Sequence, residues 1–304
     1  MPSGSDTLRA HAPTAADALD AVVDATWSVA AGHDALDLVA EASRLCAGLH
    51  GFEPLLPPTG AGDARSGPAV RSWIGDEAVL GFAEQCSLDV AAVTAAQRSA
   101  FTAATGPAGG DLAAALWVVD VVPRTRAALD ALAGSGPWPA APGLRSVPGG
   151  LWGALDGLIR TVPALDALDP VTSELVRLRG ARAHRCRLCM SIRSRPALLA
   201  GADEATFAAV DDFRDSDLTP LARAALAFTD GMLWTPGRLD PPVVAGLAGL
   251  ATPGQQVELV LDVTRNALNK IAVALGADAA HVEDGTEIYD VGPDGALAYG
   301  LSLD

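Results

Sequence analysis

Residues 170–193 read Pro170-Val-Thr-Ser-Glu174-Leu-Val-Arg177-Leu-Arg-Gly-Ala-Arg-Ala-His184-Arg-Cys186-Arg-Leu-Cys189-Met-Ser-Ile-Arg193. The pattern predicts one helix over 170–183 and a second over 186–200. In the first turn of a helix, a Cys-x-x-Cys spacing brings the second sulfur back beside the first, within reach of a disulfide. The unpaired N–H groups of that turn favour a thiolate. Such a pair attacks a peroxide or disulfide with one sulfur and resolves the product with the other. Glu174 lies twelve residues before Cys186. At about 100° per residue, the two would occupy different faces of one straight helix. The carboxylate approaches the sulfurs only if the chain turns near 183–185 and the two helices pack together. A Glu buried that way is a proton acceptor for a thiol; the alternative is an exposed Glu paired with Arg177 at i+3.

Outward from this stretch the chain stays helical. Its 304 residues are half apolar but only 5% aromatic, and Ala dominates long runs. That composition favours helices packed through small side chains over a sheet, so the expected fold is all-α. Helical spacing recurs over 15–49 (broken near Gly32-His33-Asp34), 73–85, 88–105, 111–133, 151–165, 203–214, 218–233, 240–250 and 253–275. Residues 54–70, rich in Pro and Gly, read as a loop. The end differs: Glu287–Val291 and Ala296–Leu301 flank Pro293-Asp-Gly and predict a small β-hairpin, read as a packing or assembly appendage. The expected organisation is a flexible arm over 1–14, a helical half over 15–133, a linker over 134–150, a second half over 151–276 and an appendage over 277–304.

The 37 acidic residues against 21 basic give a net charge of −16, which repels phosphate backbones and argues against nucleic-acid binding. No apolar run approaches the ~18 residues a bilayer span needs, and the polar start is not a secretory signal. A cytoplasmic protein with no membrane partner is expected. In a reducing compartment paired cysteines call for a functional explanation. Zinc is the main rival to redox chemistry, but His184 is the only nearby candidate ligand. No metal and no cofactor are expected.

The two halves carry an internal echo. Asp120 precedes Gly134, and Asp262 precedes Gly276, by fourteen residues each, and a similar shift sets Arg44-Leu45-Cys46 beside Arg187-Leu188-Cys189. His50 then falls beside Arg193, and Ser43 opposite Cys186. An old duplication explains this, in which the first copy lost one cysteine; coincidence in an Ala-rich sequence is the alternative.

Glu174, eleven residues, Cys186-x-x-Cys189, three residues and a basic position together resemble the signature of AhpD-like alkylhydroperoxidases of the carboxymuconolactone decarboxylase family. The segments Leu218-Thr-Pro-Leu-Ala-Arg, Thr252-Pro-Gly-Gln-Gln-Val-Glu and Asn266-Ala-Leu-Asn269 fit the same resemblance, which covers about 150–276. It implies an AhpD-like helical fold, homo-oligomers, and peroxidase or disulfide-oxidoreductase activity on a small-molecule hydroperoxide with a thiol or lipoyl-type electron donor. By motif, Cys189 would attack the hydroperoxide, Cys186 would resolve the sulfenic acid and Glu174 would accept the thiol proton. The family has His where this chain has Arg193. A guanidinium holds a thiolate by charge or grips an anionic substrate but shuttles no proton; a salt bridge to Glu174 or a neighbouring helix is its plain alternative. A proton relay is then left to Glu174, His184 or water. Non-redox decarboxylase-like chemistry, with Arg193 gripping a carboxylate, and a non-catalytic redox-sensing assembly protein are the competing functions.

Elsewhere, Cys46 reads as a buried inert thiol, Asn266 and Asn269 as hydrogen-bonding devices, and Trp73, Trp117, Trp152 and Trp234 as core or interface anchors.

Overall fold

The computed structural model describes residues 2–59, 76–140 and 143–303. It is predominantly helical, with a three-stranded sheet close to the C-terminus. The first half comprises α1 (Gly4–His11), α2 (Pro13–Gly32), α3 (Leu36–His50), α4 (Asp76–Asp89), α5 (Ala95–Thr105) and α6 (Gly109–Ala133). The second runs from α7 (Gly150–Thr161) and α8 (Pro170–Ala183) through α9 (Arg187–Met190), β1 (Ile192–Ser194), α10 (Arg195–Leu199) and α11 (Glu204–Ala208). It continues with α12 (Pro220–Trp234), α13 (Pro241–Ala248), α14 (Pro253–Asn266) and α15 (Asn269–Leu275), then β2 (Glu287–Val291) and β3 (Leu297–Leu301).

α6 is the axis of the molecule. It is buried from Leu112 through Thr125 without a solvent face, and α1, α2, α3 and α14 pack around it. Ala and Val supply most of its middle, so neighbouring backbones approach closely. One apolar core runs through both halves, from Leu19 and Trp27 to Leu158 and Val260. A smaller core gathers Leu175, Leu178, Phe207, Phe213 and Leu226 beneath the redox segment. The stretch 134–149 has no helix or strand among its described residues, and the helices before and after it share one core. α14 starts 144 residues after α6 (253 against 109), close to the offset of the echo. α6 and α14 pack against each other.

Five expectations need correction, the first being the helix over 88–105: residues 88–89 end α4, a 3₁₀ turn follows at Val90–Ala92, and α5 starts only at Ala95 with Thr94 as its cap. The arm over 1–14 is α1 and the start of α2: Ser3 caps α1 with a reciprocal bond to Asp6, and Leu8 is buried. The single helix over 186–200 is instead α9, β1 and α10, because β2 captures residues 192–194 as a parallel strand. The helix over 203–214 is only α11 and a short 3₁₀ turn at Phe213–Asp215. The helix over 253–275 breaks between α14 and α15. There the Trp117 indole N–H takes the Ala267 carbonyl at 2.7 Å, and Lys270 N–H tightens onto that same oxygen. The hairpin forms as expected around Pro293-Asp-Gly. Of the loop over 54–70, residues 54–59 have no helix or strand; 60–70 and Trp73 lie outside the described residues.

Candidate functional site

α8 starts with Asp169 accepting from the N–H groups of Val171 and Thr172, with Pro170 in its first turn. It ends where Arg185 adopts a left-handed conformation (φ 50°) and Cys186 N–H reaches back to the Ala181 carbonyl at 3.0 Å. That turn aims Cys186 into the protein. Cys186 caps α9, and its Sγ accepts the Cys189 N–H at 3.2 Å. The two residues form a disulfide, with Cα atoms 5.2 Å apart. Asp278 accepts the Arg187 N–H at 2.9 Å and its backbone carbonyl accepts the Leu188 N–H at 3.0 Å. Of the donors at the head of α9, the Cys189 N–H is therefore the one committed to sulfur.

Glu174 is buried beside this turn, but its bonds go elsewhere. Its carboxylate accepts from Arg177 Nε (2.6 Å) and Nη2 (2.7 Å), from Ser194 N–H (3.1 Å) and from the Tyr289 hydroxyl (3.1 Å). Arg177 in turn donates to the Cys189 carbonyl at 2.6 Å and the Ile192 carbonyl at 2.9 Å. The link from carboxylate to redox segment thus runs through Arg177. Both sequence readings of Glu174 meet here: it pairs at i+3, and it is buried. Burial alone would weaken the Arg177 charge, but Glu174 beside it holds its pKa above the ordinary guanidinium range. Burial pushes the Tyr289 phenol up, so it stays a donor.

Arg193 is buried and turned away from the sulfurs. Nε and Nη2 hold Glu204 at 2.8 and 3.0 Å, and Nη1 donates to the Met190 and Ile192 carbonyls. Its guanidinium also lies over the Phe207 ring, 5.3 Å from the centroid. It is the clamp between β1 and α11, which is the salt-bridge alternative of the sequence reading.

His184 faces a different polar centre. On α6, Asp120 accepts from Arg124 Nε (2.8 Å) and Ser87 Oγ (2.7 Å) through one oxygen, and from Lys270 Nζ (2.6 Å) through the other. Arg124 Nη2 also donates to His50 Nε2 at 2.7 Å, so that nitrogen is an acceptor and the ring is neutral. Burial would raise the Asp120 pKa, but Arg124 and Lys270 together hold it below the usual carboxylate range. His184 lines two small cavities with Lys270, and burial, then Lys270 and Arg124, push it down to about 3. It is a neutral ring near physiological pH. Cys46 is buried, and burial drives its thiol up to about 12, as expected of an inert cysteine.

A cavity of about 100 Å³ opens on Cys189. Arg177, Asn266, Asn269 and Arg265 supply its polar wall; Tyr289 and Tyr299 come from the C-terminal hairpin. The hairpin is therefore part of the site and not only a packing appendage. Sequence reasoning missed this because the parallel pairing of β1 with β2 joins residues about 95 positions apart (Ile192 with Glu287). Neither strand announces the other. The one available signal was Tyr289 itself, an aromatic in a chain that has only two tyrosines. Asn266 and Asn269 lie where the α14–α15 break exposes them to the cavity, and Asn269 Nδ2 donates to the Asn266 carbonyl at 3.4 Å. Of the tryptophans, Trp117 is buried, while Trp152 and Trp234 are half exposed. Among the described residues no three His, Cys, Asp or Glu side chains converge as metal ligands, and no helix is long and apolar enough to cross a membrane.

Two proteins of Mycobacterium tuberculosis are similar to the chain: uncharacterized protein Rv2313c of strain H37Rv and uncharacterized protein MT2376 of strain CDC 1551. Each is 42% identical over 231 residues, covering 74% of this chain and 81% of the relative. The chain belongs to the family of these mycobacterial proteins. No family model and no solved structure matches it.

Proposed function

We propose that this member of the family is a thiol-dependent peroxidase or disulfide oxidoreductase whose working pair is Cys186–Cys189. The observation that carries the reading is a disulfide one of whose cysteines, Cys189, lines a cavity while the sulfur of the other is hydrogen-bonded at the head of α9. In the reducing direction an incoming thiolate attacks Sγ of Cys189 from the cavity. The S–S bond breaks, and Cys186 leaves as a thiolate held by the Cys189 N–H; a better-stabilised leaving sulfur leaves faster. In the oxidising direction the Cys189 thiolate attacks the terminal peroxide oxygen. The O–O bond breaks, the alcohol departs on taking a proton, and Cys189 becomes a sulfenic acid. Cys186 then attacks that sulfur, hydroxide leaves as water on taking a proton, and the disulfide re-forms. An external dithiol returns the two electrons.

Glu174 and Arg177 are positioning residues in this scheme. They fix the backbone of Cys189 and Ile192 with charge-assisted hydrogen bonds, and Tyr289 locks the carboxylate from the hairpin side. With His184 turned to the buried ionic centre, protons come from water in the cavity. The non-redox alternative loses its anion grip, because Glu204 and two carbonyls occupy Arg193.

Thiol-dependent turnover of an alkyl hydroperoxide is the test. Cys189→Ser abolishes it, whereas Cys186→Ser accumulates a sulfenic acid at Cys189 that a dimedone probe labels. Turnover that survives Cys189→Ser overturns the assignment. No turnover, combined with a reversible disulfide that changes oligomer size, makes the pair a redox sensor instead.

A further inference from the structure

The cavity beside Cys189 contains a cation that the scheme above does not use. Arg265 lies near the end of α14 and lines the cavity. Its Nε donates to the Ile159 carbonyl at 3.2 Å, and among the described residues no carboxylate forms an ion pair with it. Of the two guanidiniums that line the cavity, Arg177 is committed to Glu174 and to the Cys189 and Ile192 carbonyls. Asp262, three residues earlier on α14, feels the Arg265 charge without bonding to it. The aliphatic residues Ile159, Leu188, Leu268 and Leu297 line the same cavity. A site with a reactive sulfur, an aliphatic wall and an unpaired guanidinium is complementary to a chain with a reactive group and a carboxylate. Its volume is well below the roughly 300–1,000 Å³ of sites for drug-sized ligands, which suits a slender chain and not a fused ring system.

We propose that this cavity takes a carboxylated aliphatic hydroperoxide, with the carboxylate on Arg265 and the peroxide at Cys189. The inference rests on the peroxidase reading above. The anion-binding role that the sequence offered to Arg193 passes to Arg265, the cavity-lining guanidinium held outside an ion pair. The reaction is the one already balanced: Cys189 sulfur gains the terminal oxygen, the substrate leaves as a hydroxy acid, and the external dithiol supplies two electrons.

The test compares ω-hydroperoxyoctanoic acid with its methyl ester in thiol-dependent turnover, together with calorimetric binding of the product, ω-hydroxyoctanoic acid. The wild-type protein is expected to favour the acid in kcat/KM by about ten- to hundredfold, the range of one charge-assisted hydrogen-bonded contact. Arg265→Gln brings the acid-to-ester ratio close to one and removes hydroxy-acid binding, and Arg265→Lys restores part of both. An unchanged melting temperature in the variants excludes loss of fold. If the wild type turns over acid and ester equally, the inference falls while the peroxidase reading stands. If neither is turned over, the peroxidase reading falls and the hydroperoxide assignment with it. Hydroxy-acid binding that Arg265→Gln removes would then still mark a carboxylate site, and no binding overturns the site as well.

Discussion

Around the disulfide, a single ion pair sets the geometry. Glu174 and Arg177 are both withdrawn from water, and each satisfies the other's charge while Arg177 holds two backbone carbonyls of the redox segment. Removing one member of such a pair strands the other. Glu174→Gln is therefore expected to cost roughly 3–5 kcal/mol in chemical denaturation, and the double variant Glu174→Leu with Arg177→Met to cost less than either single change. A double variant as damaged as the sum of the singles would show that the two act independently. Tyr289→Phe removes one hydrogen bond to the same carboxylate and should cost about 1 kcal/mol. Much of this was legible in the sequence. The i+3 spacing gave the pair, the twelve-residue interval required a turn, and the turn is where expected, at Arg185. The direction of Arg193 was not legible, because Glu204, its partner, is eleven residues away across a strand that no local pattern announces.

The C-terminal hairpin brings distant sequence to the site, and its tip depends on one glycine. Gly295 has φ +75°, and a Cβ there would lie 2.5 Å from the backbone of Arg160 on α7. Neither the conformation nor the space admits a side chain. Gly295→Ala is expected to lift the tip off α7 and to destabilise the protein by roughly 1–3 kcal/mol, the range for overpacking. Because β2 is continuous from Val291 at the turn to Tyr289 at the carboxylate, the same change should also speed reduction of the disulfide by a small neutral thiol. Equal stability and equal reduction rates in wild type and variant would show that the tip is not docked in solution. The helices α8 and α12 could be read closely from sequence because their starts carry local caps, Asp169 and Thr219, each followed by Pro. The α14–α15 break could not. Its cause is the Trp117 indole, supplied by α6 from 150 residues away, and helix periodicity carries no information about such a partner.

Across the whole molecule, one core encloses two carboxylates at related positions on α6 and α14 with opposite fates. Asp120 is surrounded by Arg124, Lys270 and Ser87; Asp262 has a buried oxygen without a hydrogen-bond partner, and burial, then nearby Glu258, push it up to about 7. An acid whose folded pKa lies above its unfolded value near 3.8 contributes its full stability below that value and loses it as pH rises towards 7. His184 acts in the opposite sense. With a folded pKa of about 3 against 6.5 unfolded, it favours the fold fully above 6.5 and progressively less as pH falls. His50, pushed down to about 4 by burial and Arg124, has the same sign as His184. Between pH 7 and pH 5 the His184 and Asp262 contributions change by roughly 2 kcal/mol each in opposite directions, at about 1.4 kcal/mol per pH unit of separation. His50 adds a loss of similar size to that of His184, so the wild type should lose on the order of 1–2 kcal/mol of stability from pH 7 to pH 5 with the disulfide kept oxidised, Asp262 offsetting roughly half of what the two histidines remove. Asp262→Asn removes one side of the balance. Its urea midpoint should exceed that of wild type at pH 8, by the equivalent of about 2 kcal/mol or more, and the advantage should shrink steadily towards pH 5. A variant whose profile runs parallel to wild type would mean that Asp262 does not titrate in this range. The two related carboxylates would then differ in their partners but not in their protonation.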